Sequence, residues 1–203
     1  MPERCLVALP DGLDLADACL VEPGGVAWHG VRRAGILQGE RAVVVGGGSI
    51  GLLAVAAARR MGHDVDLEAR HPHQITAGER LGAGRPSGEY DVVIEAAGSE
   101  SGLARCAELI RPGGRVILLG VYHGFVPVPG TITLVKEIAW IAAMAYERHG
   151  GIREVDEVAA MLAADGDIAE TLITHRFPLD DAPEAFRVAA DRAAGAIKIV
   201  LHP

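Results

Sequence analysis

Ala42-Val43-Val44-Val45-Gly46-Gly47-Gly48-Ser49-Ile50-Gly51 is the stretch on which the reading of the whole chain turns. Four apolar residues run without interruption into three glycines, the pattern of a strand buried on both faces of a parallel sheet and ended by a tight turn. From Ser49 to Met61 the apolar residues recur at helical spacing. Arg59 and Arg60 fall where cations complement a helix carboxyl end, and Gly62 stops it. Gly46, Gly48 and Gly51 fit G-x-G-x-x-G. The first glycine permits the turn, the second lets backbone approach a pyrophosphate, and the third lets helix and strand pack closely. In a chain with 26 glycines such a spacing arises by chance. The strand before it, the helix after it and a further strand at the βαβ distance favour dinucleotide binding over a bland glycine turn. The anion would sit at the amino end of the Ser49 helix, against N–H groups that lack intrahelical partners.

Downstream, Val65, Leu67 and Ala69 alternate with polar neighbours as a second strand, and a helix is expected near Gln74 to Leu81. Gly82, Gly84, Pro86 and Gly88 form a breaker cluster. Asp91 to Ala96 reads as a strand, Ser101 to Ile110 as a helix, Pro112-Gly113-Gly114 as a turn and Val116 to Leu119 as a strand. This rhythm predicts an α/β fold, a doubly wound parallel sheet of Rossmann type. Past Gly120 the pattern loosens through Pro127, Pro129 and Gly130, and Ile138 to Ala145, containing Trp140, reads as an apolar edge strand. Such an edge is sticky unless another subunit pairs with it, which predicts a homo-oligomer. Helices over Glu154 to Ala164 and Asp181 to Ala190 alternate with strands over Ile173 to Phe177 and Ile197 to Leu201. Upstream, Pro10-Asp11-Gly12 ends a short apolar piece, Asp14 offers an N-cap to a helical pattern through Leu20, and a second pattern runs from Gly25 to Ala34 after Pro23.

Composition narrows the function classes. The 203 residues carry 19 basic and 27 acidic side chains, a formal charge of −8, which repels phosphate backbones and anionic lipid alike. No nucleic acid or membrane partner is expected. The apolar run Ala42 to Ala58 is shorter than a bilayer span and has glycines at its centre. No basic-then-apolar leader opens the sequence, and Cys5, Cys19 and Cys106 form neither a disulfide framework nor a C-x-x-C pair. A soluble, reducing, cytoplasmic setting is the expectation.

The end of the second strand bears on the choice between NADP and NAD, because an acid there accepts from the ribose hydroxyls and repels a 2′-phosphate. The register places Ala69 at that point, followed by Arg70 and His71. Ala69 accepts nothing, whereas Arg70 and His71 can pair with a phosphate. One charge-assisted bond of about 1.5–3 kcal/mol gives on the order of tenfold to a hundredfold preference for NADP. The alternative places Glu68 as the ribose acid, with Arg70 a solvated charge and NAD the cofactor.

Glu22-Pro23, Val26-Ala27-Trp28-His29, Gly46 to Gly51, Glu95-Ala96-Ala97-Gly98, Arg111 to Arg115, Lys136-Glu137, and Thr174 to Leu179 leading to Ala196-Ile197-Lys198 together resemble the zinc-dependent medium-chain dehydrogenase/reductase family. The similarity is greatest to its sorbitol, threonine and butanediol dehydrogenase branch and covers essentially the whole chain. It implies connecting helices from a GroES-like catalytic domain over 1–36, an NAD(P)-binding Rossmann domain over 37–147, and a segment over 148–203 that returns to the catalytic domain. That catalytic domain, with its zinc ligands, is not expected within these residues. Between Leu81 and Tyr90 the chain is also too short for the family's third strand and its helix, so the sheet should lack one edge strand.

The resemblance, with the rule that ligands bind beyond the carboxyl ends of strands, implies a site in three parts. Gly46, Gly48, Ser49, Ile50 and Gly51 hold the pyrophosphate, Ala69, Arg70 and His71 read the adenosine ribose, and Ala97, Gly98, Gly120 and Val121 line the nicotinamide side. Glu22 lies where several polyol and sugar members place a zinc ligand, yet catalytic zinc needs about three protein ligands. Read by itself, Glu22 is a helix-terminus carboxylate. Zinc is expected only in an intact member. His29 reads as a helix-face histidine, His71 and His73 as borders of the adenosine pocket or solvated groups, and Cys106 as core. The expected function is the NAD(P)-binding part of a zinc-type alcohol or polyol dehydrogenase, inactive as this chain alone. The alternatives are a stand-alone dinucleotide-binding module and a subunit completed by a separate catalytic-domain chain, which the last two strands would join.

Overall fold

All four residues of β1 (Ala42–Val45) are buried, so its sheet needs cover on both faces. The computed structural model, which describes residues 6–203, supplies it. β1 lies inside a five-stranded parallel sheet with β2 (Val65–Glu68), β3 (Tyr90–Glu95), β4 (Ile110–Leu118) and β5 (Ala139–Ala142), in the order β2-β1-β3-β4-β5. On one face α1 (Val21–Ala34) and α2 (Ser49–Arg60), joined by α6 (Glu154–Ala164) and α7 (Gly166–Leu172), bury Val44, Ile94 and Ile117 under Leu52, Val31 and Met161. On the other, α4 (Glu100–Leu109) covers Val43, Val45, Val93 and Val116 with Cys106, Ala107 and Leu109. The odd and even residues of β1 thus feed two separate cores, as alternation along a strand requires. This is the doubly wound α/β fold that the strand–helix rhythm predicts.

α3 (Pro72–Arg80) follows β2, and beyond it the shortened 81–90 connection contributes to the sheet only a single parallel bridge, Asp66 to Gly84. The edge strand expected to be lacking is reduced to that bridge. Tyr90, at the start of β3, closes the gap from within. Its hydroxyl donates to Asp66 at 2.6 Å and accepts from the Ser87 N–H at 2.8 Å, and the Arg41 guanidinium lies 4.6 Å from its ring centre.

Elsewhere the boundaries moved for local reasons. The strand expected over Ile138 to Ala145 is only the four residues of β5, and a short helix, α5 (Gly130–Lys136), precedes it after Pro129. Between Asp14 and Leu20 there are turns and one 3-10 segment, Ala18–Leu20, with Asp14 accepting from the Ala16 N–H at 2.8 Å. The second helical pattern begins earlier than Gly25, at Val21, and Pro23 is tolerated because it lies in the first turn. A small hairpin, β6 (Arg148–His149) and β7 (Ile152–Arg153), turns on Gly150 and Gly151, both at positive φ. The C-terminal strands expected to be orphaned pair with each other: β8 (Ile173–Pro178) and β9 (Lys198–His202) run parallel, joined through α8 (Ala182–Ala190). Of the cysteines, Cys19 is exposed and Cys106 buried, both as free thiols, and Cys5 lies outside the described residues.

Candidate functional site

Pairing register brings the strand exits into one row. Val45 stands beside both Glu68 and Glu95, and Glu95 beside Leu118. From β1 the chain winds outward to β2 and then crosses back to β3, and such a reversal opens a crevice at the carboxyl ends. A cavity of about 700 Å³ occupies it, lined by Gly46 to Gly48, by Glu68 to His71, by Gln74 of α3, by Ala96, Ala97 and Ser99, and by Ser101 and Arg105 of α4.

The three motif glycines do different work. Gly46 has φ +116°, and a Cβ there would crowd the Ala97 amide. Gly51 sits so close to the Gly46 carbonyl that a Cβ would overlap its oxygen, whereas the Cβ direction of Gly48 meets open space. Gly48 is the N-cap of α2, with extended backbone and no side-chain cap. The first N–H groups of that helix therefore face the crevice side of the turn without intrahelical partners. The Ser49 hydroxyl is otherwise engaged, donating to the Ile197 carbonyl at 2.9 Å and so fastening the entry to β9 against the start of α2.

At the β2 exit Ala69, Arg70 and His71 all line the cavity, with the His71 and His73 rings stacked 5.5 Å apart. Arg70 donates to the Ser101 hydroxyl. Glu68 lines the cavity too, but its carboxylate accepts from Arg105 at 3.0 Å, and Arg105 also donates to Glu108 at 2.9 Å. Those two bonds hold the Arg105 guanidinium above its ordinary pKa.

The quartet expected on the nicotinamide side divides. Ala97 lines the cavity, while Gly98, in the turn leaving β3, and Gly120 and Val121, at the adjoining β4 exit, do not. Gly98, at φ +61°, packs against the Val121 backbone, and Val121 is 72% exposed. Ile50 and Gly51 likewise stand behind the turn and outside the lining. Beneath both exits lies a group not anticipated as part of the site, Glu95. It is fully buried and accepts from the N–H groups of Ala97 at 2.8 Å and Gly98 at 2.9 Å and from the Tyr122 hydroxyl. Burial, and then that bond to Glu95, push the Tyr122 phenol well above its usual pKa. A lone acid ending the apolar run Val92-Val93-Ile94 was the available signal. Gln74, Ser99, Ser101 and Arg105 left none, because only the packing of α3 and α4 brings them to the crevice.

Outside the crevice, Glu22 is exposed in the first turn of α1. Among the described residues no three His, Cys, Asp or Glu side chains gather into a group that could hold a metal ion. The described residues therefore do not fit a zinc site. His29 lies on the face of α1 that packs against α6. It is buried against the fully buried Glu154 of α6, with Nδ1 3.1 Å from the carboxylate, and the Arg32 guanidinium lies 3.4 Å from the same group. Cys106 is core, and burial pushes its thiol far up.

Residues 67–201 match the zinc-binding dehydrogenase family. The chain belongs to that family. This zinc-binding dehydrogenase chain is 31% identical over 194 residues to L-galactonate-5-dehydrogenase of Escherichia coli K12, covering 87% of itself and 56% of that protein. To human sorbitol dehydrogenase it is 27% identical, over 88% of itself and 54% of the relative. Among solved structures it superposes on a zinc-binding dehydrogenase from Sinorhizobium meliloti 1021 bound to NADP, with a TM-score of 0.83 and 28% identity. That match covers all of this chain and 64% of the other. L-idonate 5-dehydrogenase of E. coli gives the same TM-score at 27% identity, over 97% and 60% of the two chains. The chain thus spans a little over half the length of the curated relatives it matches and corresponds to the C-terminal, cofactor-binding part of zinc-type medium-chain dehydrogenases.

Proposed function

We propose that this chain binds a nicotinamide dinucleotide, NADP(H) in preference to NAD(H), as the cofactor-binding part of an alcohol or polyol dehydrogenase. The observation that carries the reading is the cavity between the β1 and β3 exits, which has the glycine turn and the start of α2 at one side and Arg70 and His71 at the other. Open space at Gly48 is what a pyrophosphate approaching backbone needs. In this reading Gly46, Gly48, Ser49, Ile50 and Gly51 hold the pyrophosphate, those beyond the lining through backbone, and Ala97, Gly98, Gly120 and Val121 border the nicotinamide. Bound there, the cofactor supplies the hydride exchange with an alcohol carbon. The chain's own residues bind and orient it.

The preference for NADP rests on charge. Arg105 pairs with Glu68, the acid that could otherwise claim the ribose hydroxyls, and Arg70 and His71 remain at the cavity wall. The S. meliloti relative, whose structure contains NADP, supports the same choice. Titration of the purified chain with NADPH and with NADH, followed by nicotinamide fluorescence, tests both statements. NADPH is expected to bind on the order of tenfold or more tightly than NADH, and Arg70→Ala to remove most of the difference. Tighter binding of NADH than of NADPH, unmoved in Arg70→Ala and lost in Glu68→Ala, would instead make Glu68 the ribose acid and NAD the cofactor.

For organisation, residues 37–147 form the dinucleotide-binding unit, and 1–36 and 148–203 the segments that face a catalytic domain. Two of the four β5 residues are exposed at the sheet edge, which suits pairing with a second copy of the chain. The β8–β9 pair suits extension by a separate catalytic-domain chain. The described residues do not fit a zinc site, and the role proposed for them is confined to binding and orienting the dinucleotide. No helix among the described residues is long and apolar enough to cross a membrane, and a cytoplasmic place remains part of this proposal.

A further inference from the structure

Glu95 is a carboxylate with no exposed surface and no cation among its hydrogen-bond partners. Burying a charge in this way is costly unless its lone pairs are satisfied. One oxygen accepts from two successive amides, Ala97 and Gly98, and the other accepts from the Tyr122 hydroxyl. The amino end of α4 begins five residues on and adds its positive dipole end. Space for the carboxylate exists because three neighbours are glycines. A Cβ on Gly102 would come within 2.8 Å of Oε1, a Cβ on Gly120 would overlap Oε2, and Gly98 lies against Gly120. The backbone repeats the connection, with the Leu119 N–H donating to the Glu95 carbonyl at 2.9 Å. One side chain therefore bonds the turn leaving β3 to the loop leaving β4, the two segments that border the nicotinamide in the proposed function.

We infer that Glu95 is a positioning residue for the nicotinamide half of the dinucleotide, setting the 96–98 turn and the 119–122 loop in a single arrangement through Tyr122. This rests on the dinucleotide reading. The adenosine end depends on other groups, Arg70, His71 and the Glu68–Arg105 pair, so the two halves of the ligand should respond separately. Adenosine 2′,5′-bisphosphate, which lacks the nicotinamide, is the probe that separates them.

Wild-type chain, Glu95→Ala, Glu95→Gln and Tyr122→Phe are titrated with NADPH and with adenosine 2′,5′-bisphosphate. Glu95→Ala should weaken NADPH by about tenfold or more and Tyr122→Phe by about two- to tenfold, with the bisphosphate affinity unchanged in both. Glu95→Gln should keep most of the NADPH affinity, because its amide oxygen can still accept from both N–H groups and its NH2 can donate to the Tyr122 oxygen. Tyr122→Phe leaves the carboxylate and its two amide bonds in place, and decides the question if Glu95→Ala does not fold. Equal losses for both ligands, no loss for either, or a Gln variant as impaired as the Ala variant would overturn the inference. A wild-type chain that binds neither ligand would instead overturn the dinucleotide reading, and the positioning role with it.

Discussion

The exits of β1 and β3 stand side by side in the sheet, with Val45 paired to Glu95, and they are built on different principles. The β1 exit is local. Within six residues it contains a positive-φ glycine, an open N-cap and a glycine packed on the first one's carbonyl, all on the bare backbone leading into α2. The β3 exit is held from a distance, by a buried carboxylate that reaches its own turn and the hydroxyl of Tyr122, 27 residues later. A motif made of backbone can be read along the chain, whereas a clamp made by one side chain appears only when another strand is laid beside it.

Substitutions can break this contrast or sharpen it. The largest effect is expected at Gly51. With a Cβ aimed at the Gly46 carbonyl oxygen and both partners fixed by backbone, Gly51→Ala should lower stability by about 3 kcal/mol or more, read by urea unfolding with an unchanged m-value. Gly120→Ala meets the Glu95 carboxylate and, at 2.5 and 2.6 Å, the backbone of Gly98, and only the first can be relieved by a side-chain shift, so about 2–3 kcal/mol is expected. The same substitution in a Glu95→Ala background should cost less, and a double-mutant cycle measures the difference. Ser49→Ala removes one hydrogen bond, to the Ile197 carbonyl, and should cost about 1 kcal/mol in the same assay while loosening β9, seen as faster amide exchange there. Gly48→Ala should be nearly silent for folding, within about 0.5 kcal/mol, because its Cβ meets no atom and its φ of −78° is ordinary. If the pyrophosphate approaches at that point, the same methyl should weaken NADPH binding. A Gly48→Ala chain that binds as tightly as wild type would separate the glycine turn from the ligand.

The flanking elements carry the contrast further. α6 was legible from Glu154 to Ala164, and so was the helix through Trp28 and His29, since each has its own apolar periodicity. What joins them was not. His29 and Glu154 are 125 residues apart, and a histidine on a helix gives no sign of a buried partner until the two helices pack. The short helix before β5 and α7 were missed because seven residues give too little periodicity to stand out. The C-terminal strands were read correctly as strands, but their pairing with each other is a tertiary outcome.

By itself the sequence determined the strand–helix alternation of the sheet, the glycine turn and the residues at the β2 exit, because these depend on periodicity, backbone freedom and short spacings. It determined also that the 81–90 connection has no room for a further strand and helix. Only the tertiary structure decided which side chains converge. It paired Glu68 with Arg105, placed Glu95 beneath two exits and limited the edge strand to four residues. Each of these depends on the register between strands and the packing of helices across the sheet, where residues far apart in the chain become neighbours and a charge can be buried because its partners arrive from elsewhere.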